Sequence, residues 1–196
     1  MSLGKQAKTI NDRQLRQFLD HVSHSRYALR DRCIVLLSFR AGLRAKEIAA
    51  LTWAMIRTSD NELGDELVLP DRASKGKSGR IIPMRAELRD ALADLEMDTD
   101  PTPTSMQYVI RSERGWRMTD NGIAVWFWRR YRELGFDGAS SHSGRRTFIT
   151  NAARKISLAG GSLRDVQALA GHSSLAVTQL YIDQNREAKR KVIEMI

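Results

Sequence analysis

The residues of this sequence that could do chemistry are arginines, histidines and a tyrosine at the ends of predicted helices. Arg44 follows a helix-ending glycine, and His142 precedes Arg145 by three residues. His172 follows a second such glycine, and Tyr181 comes nine residues later. Arginine binds oxyanions through parallel N–H donors, and histidine exchanges protons near neutral pH. Each stretch alone is also compatible with a solvated basic turn, so only the ordered set is informative.

Other common chemistries do not fit the pattern. Gly76-Lys77-Ser78 imitates the end of a phosphate-binding loop, but Asp71 stands where that loop needs its first glycine. His142 and His172 are 30 positions apart and lack partners at metal-ligand spacing, so we do not expect zinc. The acids are scattered rather than clustered, which argues against a metal-dependent nuclease, and no Ser–His–Asp order stands out. We expect no cofactor.

The net charge of +9 favours a polyanionic partner. Lys and Arg number 32 against 23 Asp and Glu in 196 residues, which points to phosphate backbones or another anionic surface. The 42% of hydrophobic residues suffices for a sizeable core and excludes disordered and collagen-like classes. The single cysteine, Cys33, lies in an apolar run and indicates a buried thiol in a reducing compartment. No membrane-length apolar run or signal-peptide core is present, so we expect a cytoplasmic protein.

Hydrophobic periodicity predicts an α+β fold, mostly α-helical with one small antiparallel β-sheet, over a single domain of residues 1–196. Helices are predicted from Asn11 onwards, at 28–41, around 47–51, around 88–95, and at 119–134, 145–156, 162–170, 175–181 and 187–193. Two short strands are predicted at 66–70 and 80–83, joined by the polar loop 71–79. Segment 98–104 is predicted to be a surface loop.

Local signals mark several helix ends. Asn11 and Gln14 form one predicted capping box, and Ser162 and Asp165 form another. Helix-ending glycines follow three of the predicted helices, at Gly42, Gly135 and Gly171. The polar residues singled out above therefore stand next to well-defined helix boundaries.

In order and spacing, four stretches resemble the tyrosine recombinase (phage integrase) family. The matching stretches are Gly42-Leu43-Arg44 with Glu47 and Leu51-Thr52-Trp53, Ser74-Lys75-Gly76-Lys77 before Arg80-Ile81-Ile82-Pro83, His142 to Arg145 with Thr147-Phe148, and Leu169-Ala170-Gly171-His172-Ser173-Ser174 with Tyr181. The resemblance covers essentially the whole chain and implies the fold of that family's catalytic domain. Gly144 and Arg146 stand where the family usually has Leu and His, so we expect a looser helix start and an extra charge there.

The resemblance implies that a tyrosine attacks a DNA phosphodiester and leaves a 3′-phosphotyrosine and a free 5′-hydroxyl. Tyr181 would be the nucleophile. His142 would be the general base, which a phenol with a pKa of about 10 needs at neutral pH. Arg44 and Arg145 would stabilise the negative charge that grows on the phosphate.

The resemblance gives roles to further residues. His172 would hydrogen-bond a phosphate oxygen, and Glu47 would orient the cationic groups. The departing 5′-oxygen needs a proton, which Lys75 would donate, with Lys77 as the alternative donor. Because the covalent intermediate conserves the phosphodiester energy, neither metal nor nucleotide is required.

Further basic residues are predicted to contact double-stranded DNA. These predicted DNA-binding residues are Lys77, Arg80, Arg129, Arg130, Arg132 and Arg146. On helix 119–134 the arginines fall away from an apolar stripe that contains Ile123, Phe127 and Tyr131. Core packing remains the alternative explanation for half of the aromatic residues on that helix.

Two other functions share the same residues: a catalytically silent DNA-binding regulator and a topoisomerase-like enzyme that relaxes strands. Members of the family typically carry an N-terminal core-binding domain, for which this sequence has no room. We therefore expect either a short recombinase, similar to the fimbrial phase-variation inverters, or a fragment of a longer integrase. The residues after Tyr181 are expected to form a terminal helix that caps its own core or is exchanged between subunits of a DNA-bound homotetramer.

Overall fold

The computed structural model describes residues 7–71, 79–99, 107–114, 116–181, 190 and 193–195. Its helices are α1 (Asp12–Ser23), α2 (Ala28–Arg40), α3 (Ala45–Ala50), α4 (Ala86–Thr99), α5 (Asp120–Glu133), α6 (Ser143–Lys155), α7 (Leu163–Ala170) and α8 (Leu175–Gln179). One antiparallel sheet consists of β1 (Glu66–Leu69) and β2 (Arg80–Pro83). The predicted mostly helical fold with one small antiparallel sheet is confirmed.

The chain divides into two compact units, Met1–Phe148 and Ile149–Ile196. In the first unit α2 is the central helix, and the run from Cys33 to Leu37 is fully buried. Helices α1 and α4 pack against α2, while α3 packs against α5. Burial raises the pKa of the Cys33 thiol, which donates a hydrogen bond to the Ala91 carbonyl at 3.1 Å. The thiol is therefore a structural group, as its apolar surroundings in the sequence indicated.

The β-hairpin has one buried and one exposed face. Leu69 pairs with Arg80 and Leu67 with Ile82, and all four side chains are buried. Val68 and Ile81 pair on the opposite, exposed face. Because side chains alternate along a strand, Arg80 has to point to the same side as Ile82.

An aromatic cluster joins α1 to α5. The Phe18 ring contacts the rings of Trp126, Phe127 and Tyr131, with centroids 5.2 to 6.2 Å apart. Ile123, Phe127 and Tyr131 are buried, as the apolar stripe predicted, and Trp126 is buried as well. Trp128 is exposed, and the Arg132 guanidinium lies 4.8 Å from the centre of its ring.

In the second unit, α7 and α8 pack against each other. Helix α7 starts at the predicted capping box, in which Ser162 N–H donates to Asp165 at 2.7 Å. It ends at Gly171, whose φ of +60° is accessible to glycine at little cost. His172 therefore follows directly on a sharp change of chain direction.

Several boundaries differ from the predicted ones, and three of them bear on the site or the loops. Helix α6 begins at Ser143 rather than at 145, and Asp98 and Thr99 close α4 instead of opening a loop. Helix α8 ends at Gln179, so Tyr181 lies in the following turn and not on the helix. The cause is local, since the Tyr181 N–H donates to Thr178 O three residues back instead of four. Most of loop 71–79 and of the predicted helix 187–193 lies outside the described residues.

Candidate functional site

The turn after α2 places Arg44. Gly42 has a φ of +65°, and a Cβ on it would lie 2.4 Å from Cδ1 of Phe148. Glycine is therefore required both for the backbone conformation and for the space. Leu43 is fully buried, and Arg44 follows in an extended conformation as the N-cap of α3. Its side chain is 23% exposed, so the guanidinium still reaches solvent.

A buried carboxylate holds the Arg44 guanidinium. Glu47 is 1% exposed, and its Oε1 accepts a hydrogen bond from Nη1 of Arg44 at 2.7 Å. Its Oε2 accepts from the backbone N–H of Arg44 at 2.9 Å. Arg80 donates from Nη1 to Oε1 and from Nη2 to Oε2, both at 3.0 Å. The predicted orienting role of Glu47 thus has a geometric basis: one carboxylate accepts four hydrogen bonds from two arginines.

The same contacts set the ionisation of Glu47. Burial by itself raises the pKa of this carboxyl, but the hydrogen bonds and positive charges of Arg80 and Arg44 outweigh burial. The net pKa lies below its ordinary value of 4.5, and Glu47 is ionised at neutral pH.

Arg80 is not placed as a DNA-binding surface residue. Its side chain is 4% exposed and points into the buried face of the hairpin, where it meets Glu47. The prediction that it contacts DNA phosphates does not fit this position, because the strand alternation directs it inward together with Ile82. Arg80 instead supports the carboxylate that holds Arg44.

Arg145 and His142 differ in their surroundings. Arg145 is 5% exposed, and its Nη1 donates to the carbonyl oxygen of Gly42 at 2.7 Å. His142 precedes α6, its side chain is exposed, and its carbonyl accepts the N–H of Arg146 at 2.9 Å. Both arginines are therefore held at the turn around Gly42. Arg44 follows this glycine by two residues, and Arg145 donates a hydrogen bond to its carbonyl oxygen.

The expected looser start of α6 is wrong. Gly144 is buried, and a Cβ on it would lie 2.2 Å from Oγ of Ser38 and 2.8 Å from Cδ2 of Phe39. The absence of a side chain allows α6 to approach the end of α2 very closely. This close packing, rather than looseness, is the consequence of glycine at this position.

Arg146 is tied to the N-terminal segment. Its Nη1 donates to the carbonyl of Ala7 at 3.1 Å, and the side chain is half-buried. The next residue, Thr147, accepts a hydrogen bond from the N–H of Ile10 at 2.9 Å. The start of α6 thus anchors residues 7–10. The Arg146 side chain adds a charge at this position, as expected, and also makes a structural contact.

His172 and Tyr181 lie together in the second unit. Their rings are stacked, with centroids 5.7 Å apart and an interplanar angle of 23°. Nδ1 of His172 is 3.0 Å from Oγ1 of Thr178, a fully buried residue that the sequence analysis did not single out. By contrast, Tyr131 is 2% exposed, and burial raises the pKa of its phenol. Of these two tyrosines, only Tyr181 combines partial exposure with a neighbouring histidine.

Two of the predicted DNA-binding arginines line a pocket in the first unit. Arg129 and Arg130 of α5 face a pocket of about 530 Å³ together with Arg26 and Arg30. Glu133 accepts a hydrogen bond from Arg130 at 2.6 Å. Asp31 and Glu113 also line this pocket, and Asp31 pairs with Arg30 at 2.7 Å, so four arginines face two acids beside α5.

The two lysines predicted as proton donors to the 5′-oxygen, Lys75 and Lys77, lie outside the described residues. Within the described ranges, no three His, Cys, Asp or Glu side chains form a cluster suited to a metal ion. In that same part of the chain, no helix has both the length and the apolar character of a membrane span.

Replacing Glu47 by glutamine should lower the free energy of unfolding by about 3–5 kcal/mol at pH 7, because the buried Arg80 and the partly exposed Arg44 lose their counter-charge. A lowered folded-state pKa gives stability that is present above pH 4.5 and is lost as the pH falls through the folded pKa. The difference in the free energy of unfolding between wild type and Glu47→Gln should therefore become smaller as the pH is lowered. Urea unfolding at about pH 7 and pH 4 measures it.

Glu62→Gln, at an exposed position, is the matched control and should change stability by less than about 0.5 kcal/mol. A Glu47→Gln effect that stays constant or grows towards acid pH would contradict the assignment of an ionised, arginine-bound carboxylate.

Gly144→Leu should destabilise the protein by at least about 3 kcal/mol, because its Cβ alone overlaps Ser38 and Phe39. Asn151→Leu introduces the same side chain at an exposed position of α6 and should stay within about 0.5 kcal/mol of wild type. Chemical denaturation compares the two. Equal stability of both variants would show that the space at Gly144 is not closed.

Comparison with known proteins agrees with these features. A model of the phage integrase family matches residues 8–188. The tyrosine recombinase XerC of Shewanella amazonensis is 29% identical over 200 residues, covering 99% of this chain and 64% of that protein. The tyrosine recombinase XerA of Thermococcus kodakarensis is 30% identical over 190 residues, covering 95% of this chain and 62% of that protein. The chain thus spans less than two thirds of the length of these relatives.

Solved structures show the same fold. The crystal structure of XerA recombinase matches with a TM-score of 0.75 at 22% identity, over 95% of this chain and 64% of that chain. The pre-cleavage complex of XerH recombinase with its difH substrate matches with a TM-score of 0.71 at 17% identity, over 98% of this chain and 55% of that chain. With the family model matching most of its length, the chain belongs to the phage integrase family of tyrosine recombinases.

Proposed function

We propose that this chain carries out site-specific DNA recombination by cutting and rejoining strands through a 3′-phosphotyrosine intermediate. The observation that supports this most directly is the stacked pair of His172 and Tyr181 in a member of this family. A partly exposed phenol beside a histidine is suited to attack on a phosphate.

In the proposed reaction the Tyr181 hydroxyl oxygen attacks the phosphorus and loses its proton to His142. The bond from phosphorus to the 5′-oxygen breaks, and that oxygen takes up a proton from Lys75 or, alternatively, Lys77. Attack of a 5′-hydroxyl on the phosphotyrosine reverses these steps and joins a strand. No net oxidation or hydrolysis occurs, so neither an oxidant nor a nucleotide is consumed.

Arg44 and Arg145 would stabilise the negative charge that develops on the phosphate, with His172 donating a further hydrogen bond. Guanidinium groups suit this role because they donate two parallel hydrogen bonds and stay charged. The contacts of Arg44 with Glu47, and of Arg145 with the Gly42 carbonyl, support the proposal, because held donors need no reorganisation during the reaction.

We further propose that Arg129, Arg130 and Arg132 contact the phosphates of double-stranded DNA in the cytoplasm, at the nucleoid. The arginine-lined pocket beside α5 and the net charge of +9 support this. We also propose assembly into a homotetramer on DNA with exchange of the C-terminal helix, which the family resemblance suggests; the residues involved lie mainly outside the described ranges.

Tyr181→Phe should abolish the covalent intermediate while leaving DNA affinity in place, because it removes only the attacking oxygen. On a nicked duplex that traps the intermediate, wild type should accumulate a species that withstands denaturant, is sensitive to protease and is joined through the DNA 3′ end. Denaturing gel electrophoresis measures it.

Tyr131→Phe is the matched control, since it removes a buried hydroxyl without a partner among the described residues and should leave adduct formation intact. Adduct formation by Tyr181→Phe would show that the nucleophile is another residue. Binding by wild type without any adduct would favour the DNA-binding regulator, and relaxed circles without exchanged flanks would favour the topoisomerase-like activity.

A further inference from the structure

One buried threonine contacts both of the chemically important residues of the second unit. Thr178 in α8 is fully buried, and its Oγ1 lies 3.0 Å from Nδ1 of His172. Its carbonyl oxygen accepts the backbone N–H of Tyr181 at 3.1 Å. The side chain of this residue thus holds the histidine, and its main chain holds the tyrosine.

The two contacts explain why the rings of His172 and Tyr181 stack. The i→i−3 hydrogen bond to Thr178 ends the helix and puts Tyr181 in a turn. The hydrogen bond at Nδ1 limits rotation of the His172 ring, which lies 5.7 Å from the Tyr181 ring. Removal of the hydroxyl alone should therefore release the histidine without moving the backbone contact to the tyrosine.

A hydroxyl group suits this position because it can donate or accept a hydrogen bond. When it donates to Nδ1 of the neutral ring, the ring proton must sit on Nε2, whereas a hydroxyl that accepts from Nδ1–H of the neutral ring leaves Nε2 without a proton. Only the first of these states leaves an N–H for the phosphate contact proposed for His172. When the ring is protonated, the same hydroxyl accepts from Nδ1–H, and Nε2 still carries its proton. A carboxylate at this position would accept only, and would favour the proton on Nδ1.

We propose that Thr178 is a positioning residue that holds His172 in the orientation and tautomer in which Nε2–H donates to the scissile phosphate. This inference rests on the proposed function for its catalytic consequence, but the tautomer of His172 is a property of the protein without DNA. The two can therefore fail separately.

The kinetic test compares Thr178→Val, which keeps the shape, with Thr178→Ser, which keeps the hydroxyl. With saturating nicked duplex, Thr178→Val should lower the single-turnover rate of adduct formation about 10- to 100-fold, the range seen when the partner that orients a metal-binding histidine is removed. DNA affinity should change little, and Thr178→Ser should retain most of the wild-type rate. Equal rates for Thr178→Val and wild type would overturn the proposal.

A second comparison separates positioning from packing. In a His172→Gln background, adding Thr178→Val should cost nothing further, because the hydroxyl no longer has its ring to orient. If Thr178→Val lowers the rate of adduct formation in the His172→Gln background as much as in wild type, Thr178 contributes to packing and does not act by orienting His172. Should Thr178→Val not fold, judged by circular dichroism, Thr178→Ala and Thr178→Ser provide the same comparison.

Nitrogen-15 NMR of the imidazole rings tests the inference without any activity. The chain has four histidines, so the His172 signals can be assigned with His172→Gln. At a pH where the ring is neutral, wild type should show the proton on Nε2, and Thr178→Val should show a mixture of tautomers. A proton on Nδ1 in wild type, or identical spectra for both proteins, would overturn the proposal; absence of the adduct in wild type would overturn only the proposed function.

Discussion

A buried carboxylate that must remain paired is the interaction on which the arrangement of the first unit depends. Glu47 is 1% exposed, and an ionised carboxyl at that depth carries a desolvation cost of several kcal/mol, in order of magnitude. Arg44 and Arg80 offset it with four hydrogen bonds, so α3 and β2 have to meet at this one group. Such a pair is a weak source of net stability compared with apolar packing. Its consequence here is a defined position for the Arg44 guanidinium.

Gly42 and Gly144 allow Arg145 to reach the turn that precedes Arg44. Gly42 lies against Phe148 and Gly144 against Ser38 and Phe39, at separations that leave no room for a Cβ. Helix α6 therefore rests directly on the end of α2, and Arg145 reaches the Gly42 carbonyl. Interiors packed this tightly transmit small displacements, so the position of one guanidinium depends on contacts made by its neighbours.

The parts of the fold that depend on local signals could be predicted from the sequence. The capping boxes at Asn11 and Ser162 stand where they were expected, because caps involve residues only three positions apart. Contacts between distant segments could not: the proximity of Gly144 to Ser38 has no signature in either segment. Arg80 was predicted to contact DNA, and the structure shows it buried: its alternation with Ile82 could have indicated an inward side chain, but only the structure shows the Glu47 carboxylate that receives it.

The most direct measurement is the effect of Arg80→Gln on DNA binding and cleavage, in protein shown to unfold cooperatively. If Arg80 acts through Glu47 on Arg44, the single-turnover rate of adduct formation at saturating DNA should fall at least about 10-fold. The slope of log affinity against log salt concentration should stay as in wild type. A slope reduced by about one, with an unchanged rate at saturation, would contradict the account, because it is the signature of a lost phosphate contact.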